Sequence, residues 1–168
     1  SPEVTETDTS SPQVLSTEAE VSTPAEETLN GCVRTFDESK LSASDVDFRN
    51  KQAVIQVEGF GEMTVDLYDA DAPQTVENFV RLASSGFYDC LTFHRVSKGF
   101  VIQGGDPSGN GTGGRTASGK ALPDELNPEA PSYKQGYVKG VLAMANKGIP
   151  LSGSSQFFIM LGDVELDH

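Results

Sequence analysis

Between residues 52 and 68 apolar and polar side chains alternate. Ala53-Val-Ile-Gln-Val57 and Met63-Thr-Val-Asp-Leu-Tyr68 flank Gly59-Phe-Gly61, which predicts a β-hairpin with Met63, Val65 and Leu67 on one core face. The period then changes. Val76, Phe79, Val80 and Ala83 follow i, i+3, i+4, i+7 spacing and predict a helix that caps the core. Pro73 suits its first turn, where a missing N–H costs little, and Gly86 supplies the stop. Residues 93–106 read Phe-His-Arg-Val-Ser-Lys-Gly-Phe-Val-Ile-Gln-Gly-Gly-Asp, two short strands around a turn at 97–99. Period 2 sets Phe93 and Arg95 opposite His94 and Val96, and Val101 and Gln103 opposite Phe100 and Ile102. Two further buried strands are expected at 140–146 and 153–159, joined by a Gly/Pro loop. Residues 106–137 are rich in Gly, Pro, Ser and Asn without periodicity, a long loop of the kind that carries function or moves.

Upstream of this patterned part the composition shifts. Residues 1–30 are mostly Ser, Thr, Glu, Pro and Val, and no Lys or Arg precedes Arg34. So little apolar surface cannot offset the entropy of ordering, which predicts an extended tail. Asn30-Gly31 is a turn signal, and residues 35–50 form a polar connector without predicted structure. Residues 1–50 are therefore expected to be an acidic Ser/Thr/Glu-rich tail and connector, and residues 51–168 a single domain.

The net charge of −13 comes from 25 Asp and Glu against 12 Lys and Arg, with eleven acids and three bases in the first fifty residues. Such a balance disfavours sequence-independent nucleic-acid binding and anionic membrane surfaces, and no apolar run approaches a bilayer-spanning length. The sequence begins at Ser1, so an upstream segment either removed or never included is expected. An extracytoplasmic setting (secreted, periplasmic or tethered by a removed segment) is expected, with the cytoplasm as the alternative. The two cysteines, Cys32 and Cys90, either form one disulfide in an oxidising compartment or remain two thiols. Neither has metal-ligand spacing.

Several short motifs lead nowhere. Gly109-Asn-Gly-Thr-Gly-Gly114 matches a dinucleotide fingerprint and 114–120 nearly matches a phosphate-binding loop. The first opens no helix, and the second has Ala121 where a metal-binding hydroxyl belongs. Asn110-Gly-Thr112 fits a glycosylation sequon but reads more simply as a tight turn. Ser154, His94 and Asp106 could be drawn as a hydrolytic triad, yet no nucleophile elbow surrounds the serine. Arg95 is the residue that stands out. A permanently charged guanidinium set among Phe100, Val101 and Gln103 must pair or face a cleft, although an edge-strand arginine in solvent fits these residues equally well.

Five ordered blocks resolve the choice. Phe93-His94-Arg95, Gly99-Phe-Val-Ile-Gln103-Gly-Gly-Asp106, Asn110-Gly-Thr-Gly-Gly114, Met144-Ala145-Asn146 and Ser155-Gln156-Phe157-Phe158-Ile159 together resemble the cyclophilin family of peptidyl-prolyl isomerases over roughly residues 51–168. The resemblance implies a mainly β fold, an antiparallel barrel with a capping helix, acting as a monomer on proline-containing polypeptides without cofactor or metal. It implies Arg95 and Gln103 as catalytic residues. It also implies Phe100, Val101 and Phe158 as the proline pocket with Leu166 as a further wall, Ala145 and Asn146 as the substrate-backbone grip, and Gln156 and His94 as lining or support. Family domains continue beyond the Phe-Phe-Ile strand and close the barrel by pairing the last strand with the first. The barrel is therefore expected to be incomplete at the C-terminus and its stability marginal. The chain has no Trp, where many members carry one near the groove, which implies weak cyclosporin binding. A holding module that binds proline segments without turnover is the alternative reading.

Overall fold

The computed structural model describes residues 24–29 and 31–164. In chain order the elements are β1 (Ala25–Leu29), β2 (Cys32–Phe36), a 3-10 turn (Glu38–Leu41), β3 (Gln52–Val57), β4 (Gly61–Asp66), α1 (Pro73–Ser84), β5 (Arg95–Ser97), β6 (Val101–Gly104), α2 (Pro131–Gln135), β7 (Leu142–Met144) and β8 (Phe157–Met160). The strands form two hairpins, β1–β2 and β3–β4, and a four-stranded sheet in the order β5-β6-β8-β7. Every pair is antiparallel.

The sheet register divides its residues cleanly, because residues directly opposite across antiparallel strands share a face. Ile102, Ile159 and Leu142 form one row of the core face, and Gly104, Phe157 and Met144 the next. They meet Phe79 of α1 and, from the β3–β4 hairpin and its continuation, Ala53, Ile55, Met63 and Leu67. The alternation seen in the sequence thus does what it predicts, and α1 packs on the core where a capping helix was expected. That helix lacks a side-chain cap at Ala72. Glu125, arriving from the long loop, instead accepts the N–H groups of Gln74 and Thr75 at 3.1 and 2.8 Å, a carboxylate at the positive end of the helix dipole.

Three expectations need correction. First, the buried stripe of α1 is Val76, Asn78, Phe79 and Leu82, not Val76, Phe79, Val80 and Ala83. The helix is turned because Asn78 is buried to bridge two loops, donating to Ser154 O at 2.9 Å and accepting from Ala117 N at 2.8 Å. Second, the loop at 106–137 contains the short helix α2. Third, structure begins well before residue 51. β1 and β2 pair from Ala25↔Phe36 to Leu29↔Cys32, where an extended tail, a turn and the start of a connector without assigned structure were expected; the tail upstream of residue 24 lies outside the described residues.

Tertiary contacts explain why composition missed this hairpin. Arg34 is 7% exposed, paired with Glu27 at 2.6 Å and donating to Phe87 O at 2.8 Å. Cys32 and Cys90 are joined in a disulfide, so the choice between bridge and thiols falls to the bridge. Asp37 N donates to Ser85 O. Gly86, at φ 78, lies so close beneath Thr35 O that a Cβ there would overlap it. Phe36 and Leu41 then join Leu82, Phe87, Tyr88 and Leu91 in a second apolar cluster.

One side of the molecule stays open. β3 pairs only with β4 among the described residues, and a groove of about 1440 Å³ runs beside it, lined in part by Ile55, Val57, Val80, Ala83, Tyr88 and Phe157.

Candidate active site

The face of the sheet opposite the core carries the functional candidates. The register places Arg95, Gln103, Phe158 and Ala143 in one row across β5, β6, β8 and β7. Strand alternation, with Gln103 beside Arg95 and Phe158 beside Gln103, puts an exposed guanidinium at one end of the row and an aromatic ring two strands away. Arg95 Nη1 donates to Gln103 Oε1 at 3.3 Å, and its guanidinium carbon lies 5.5 Å from the centroid of the Phe100 ring, within cation–π range. The tight turn after β5, closed by Phe100 N donating to Ser97 O, brings Phe100 back to Arg95.

Behind Gln103 stands Gln156, 8% exposed. Its Nε2 donates to Gly111 O at 3.0 Å and Gly113 O at 2.7 Å, so its Oε1 is left to accept from Gln103 Nε2 at 2.9 Å. Two carbonyls therefore settle which way both amides point, and Gln103 presents oxygen to Arg95.

The remaining sequence candidates fall into place unevenly. Phe158 is half-buried, whereas Val101 is 2% exposed and offers almost no surface of its own. Ala145 N donates to Gln156 O at 2.9 Å, which extends the β7–β8 pairing by one residue. Asn146 is exposed and its Oδ1 accepts from Gly148 N at 2.9 Å, turning part of its amide into its own loop. His94 has a buried Nδ1 without a hydrogen-bond partner among the described residues, and its ring packs under Gly111. Leu166 lies outside the described residues.

Two contributors were not anticipated. Tyr137 packs its ring 5.8 Å from that of Phe158, and burial raises its hydroxyl pKa. It sits in an aperiodic loop that gives no local signal. Asp106 is 1% exposed and accepts the N–H groups of Ser108, Asn110 and Gly111 at 2.8, 3.1 and 2.6 Å. Burial alone would raise its pKa, but these donors and Gly113 N–H together hold it below the ordinary carboxylate value. With its oxygens so engaged it is no partner for His94 and Ser154 in a triad. The Asp-Pro-Ser-Gly-Asn-Gly run was the available hint, since Asp accepts from backbone N–H groups shortly after it in turns.

The family description "cyclophilin type peptidyl-prolyl cis-trans isomerase/CLD" matches residues 53–168. The chain belongs to the cyclophilin family. It is 46% identical over 101 residues to peptidyl-prolyl cis-trans isomerase-like 1 of Neurospora crassa, covering 60% of this chain and 59% of that protein. It is 40% identical over 133 residues to peptidyl-prolyl cis-trans isomerase-like 2 of Cryptococcus neoformans, covering 79% of this chain and 23% of that protein. Among solved structures, a cyclophilin type isomerase of Cryptosporidium parvum, crystallised in the presence of the dipeptide ala-pro, superposes with a TM-score of 0.61 at 35% identity, over 68% of this chain and 70% of that one. The chain thus spans under a quarter of one curated relative and about three-fifths of the other. With cyclophilin neighbours and mostly strand content, its fold is the mainly β cyclophilin fold.

Proposed function

We propose that this cyclophilin accelerates cis/trans rotation about X–Pro bonds in unfolded or extended polypeptide segments. The observation that carries the reading is the Arg95 guanidinium, held by Gln103 in the same row as Phe158 and stacked toward Phe100. Uncatalysed rotation takes on the order of tens of seconds because twisting the amide breaks its resonance. Millisecond turnover then needs roughly four decades, about 5–6 kcal/mol of transition-state stabilisation. The twisted prolyl nitrogen regains a lone pair that the planar ground state lacks. A fixed guanidinium donating to that nitrogen interacts with the transition state and not with the substrate, which is the condition for raising kcat. Phe100 and Phe158 hold the proline ring, Val101 underlies them, and Leu166 is assigned as a further wall. Ala145 and Asn146 pair with substrate main chain in the manner of an added strand.

Affinity for proline peptides is supported by the ala-pro dipeptide used with the Cryptosporidium relative. The Cys32–Cys90 bridge supports an oxidising, extracytoplasmic setting. The finer architecture, a barrel closed by one more strand, is part of the same proposal. β3 has an unpartnered edge among the described residues, and Val80 and Ala83 line the groove beside it. A strand laid along that groove would pair with the edge and cover both side chains.

The deciding experiment is a protease-coupled assay on an X–Pro peptide with wild type and Arg95→Ala. The expected result is a loss of about a hundred- to a thousandfold in kcat with peptide affinity retained. Binding without turnover in the wild type would establish the holding module instead.

A further inference from the structure

We propose that Asp106 is a positioning residue for Arg95, acting through the loop at 106–114 and a directional relay of two glutamine amides. The inference rests on the isomerase reading above. No strand or helix lies in this loop, so no backbone ladder holds it in place. What anchors it is one buried carboxylate that gathers the N–H groups of Ser108, Asn110 and Gly111. The peptide chain between these donors is thereby set so that Gly111 O and Gly113 O both face Gln156 Nε2.

From that point each link forces the next. Gln156 turns its oxygen to Gln103 Nε2, and Gln103 turns its oxygen to Arg95 Nη1. Rotating either amide by half a turn would set N–H against N–H or oxygen against oxygen. If the carbonyl pair disperses, Gln103 loses its reason to present oxygen, and a flipped amide would push the guanidinium away from the prolyl nitrogen. The pocket formed by Phe100 and Phe158 does not depend on this relay. The consequence should therefore fall on kcat and not on binding.

Gly113 supplies a second handle on the same carboxylate. A Cβ there would overlap Asp106 Oδ1 and meet the Ser108 hydroxyl at 2.5 Å, and its φ lies outside the left-handed region. Gly113→Ala thus displaces Asp106 with its charge intact. Asp106→Asn keeps the shape but sets an amide N–H₂ among backbone donors.

The test measures kcat and KM for an X–Pro peptide with both variants, each alone and combined with Gln103→Ala, and with Arg95→Ala as reference. Either variant should lower kcat between about ten- and a hundredfold with KM within about twofold. In the Gln103→Ala background neither should lower kcat further, since the relay is already cut. An equal loss in both backgrounds, a rise in KM at unchanged kcat, or full activity in both variants would overturn the proposal. Undiminished turnover by Arg95→Ala would overturn the role of Arg95 and the relay with it, whereas absence of turnover in the wild type would instead overturn the isomerase reading.

Discussion

Arg95 and Phe158 divide the proposed work between them, one meeting charge that appears only in the twisted amide, the other holding apolar surface that is present throughout. Their substitutions should therefore separate kinetically. Phe158→Ala removes a half-buried ring that also packs on Tyr137, and is expected to raise KM about tenfold or more with a smaller change in kcat, by steady-state kinetics. Arg95→Lys keeps the charge but loses the planar fork that serves Gln103 and the prolyl nitrogen together. Its kcat should stay closer to that of Arg95→Ala than to wild type, and recovery to within about threefold of wild type would contradict the bidentate role. Asp106 carries a pH prediction. Its pKa is lower in the fold than in the unfolded chain, so its stabilisation is complete above the ordinary carboxylate value and is lost as pH falls through the depressed one. Denaturant midpoints of wild type should decline below about pH 4 more steeply than those of Asp106→Asn. Alternation set Arg95 and Gln103 on short strands where period 2 holds, but it left Arg95 equally readable as an edge residue in solvent. Only the resemblance of the five motif blocks singled the pair out. Asp106 could not be assigned its part, since its donors and the carbonyls they aim are united only when the loop folds against Gln156.

The β1–β2 hairpin shows how far an element can depend on what it touches. Its outward positions are exposed and its composition resembles the tail before it. Three long-range anchors secure it: the Cys32–Cys90 bridge, Arg34 donating to Phe87 O, and the close approach to Gly86. The bridge spans a sequence separation of 58 residues, for which loop-closure entropy gives a stabilisation of about 4 kcal/mol as an upper bound. Replacing both cysteines by serine should lower the denaturant midpoint correspondingly, with turnover at low temperature retained because Arg95, Gln103 and Phe158 are held by the sheet register and the Gln156 amide. A midpoint unchanged within error would mean that Arg34 and the apolar cluster hold the hairpin by themselves. The same dependence on context rotated α1. Its apolar periodicity was legible, but the burial of Asn78 between Ser154 O and Ala117 N chose which neighbouring stripe faces inward.

At the scale of the whole molecule, the open groove beside β3 matters most. An uncovered strand edge and exposed apolar side chains reduce the area removed from water and leave backbone groups to solvent. The 168-residue chain is accordingly expected to melt at or below the ordinary mesophilic range of about 45–65 °C, followed by circular dichroism; a cooperative transition well above that range would show the groove to be no weakness. Fold class, the sheet strands and the Arg95–Gln103 pair were determined by sequence alone, because alternation and the five motif blocks are local and survive any rearrangement around them. The tertiary structure alone decided the disulfide, the clamped hairpin, the rotation of α1 and the relay behind Gln103. Each of these joins residues far apart in the chain, and no periodicity records which distant carbonyl, carboxylate or thiol a side chain will meet once the backbone has closed.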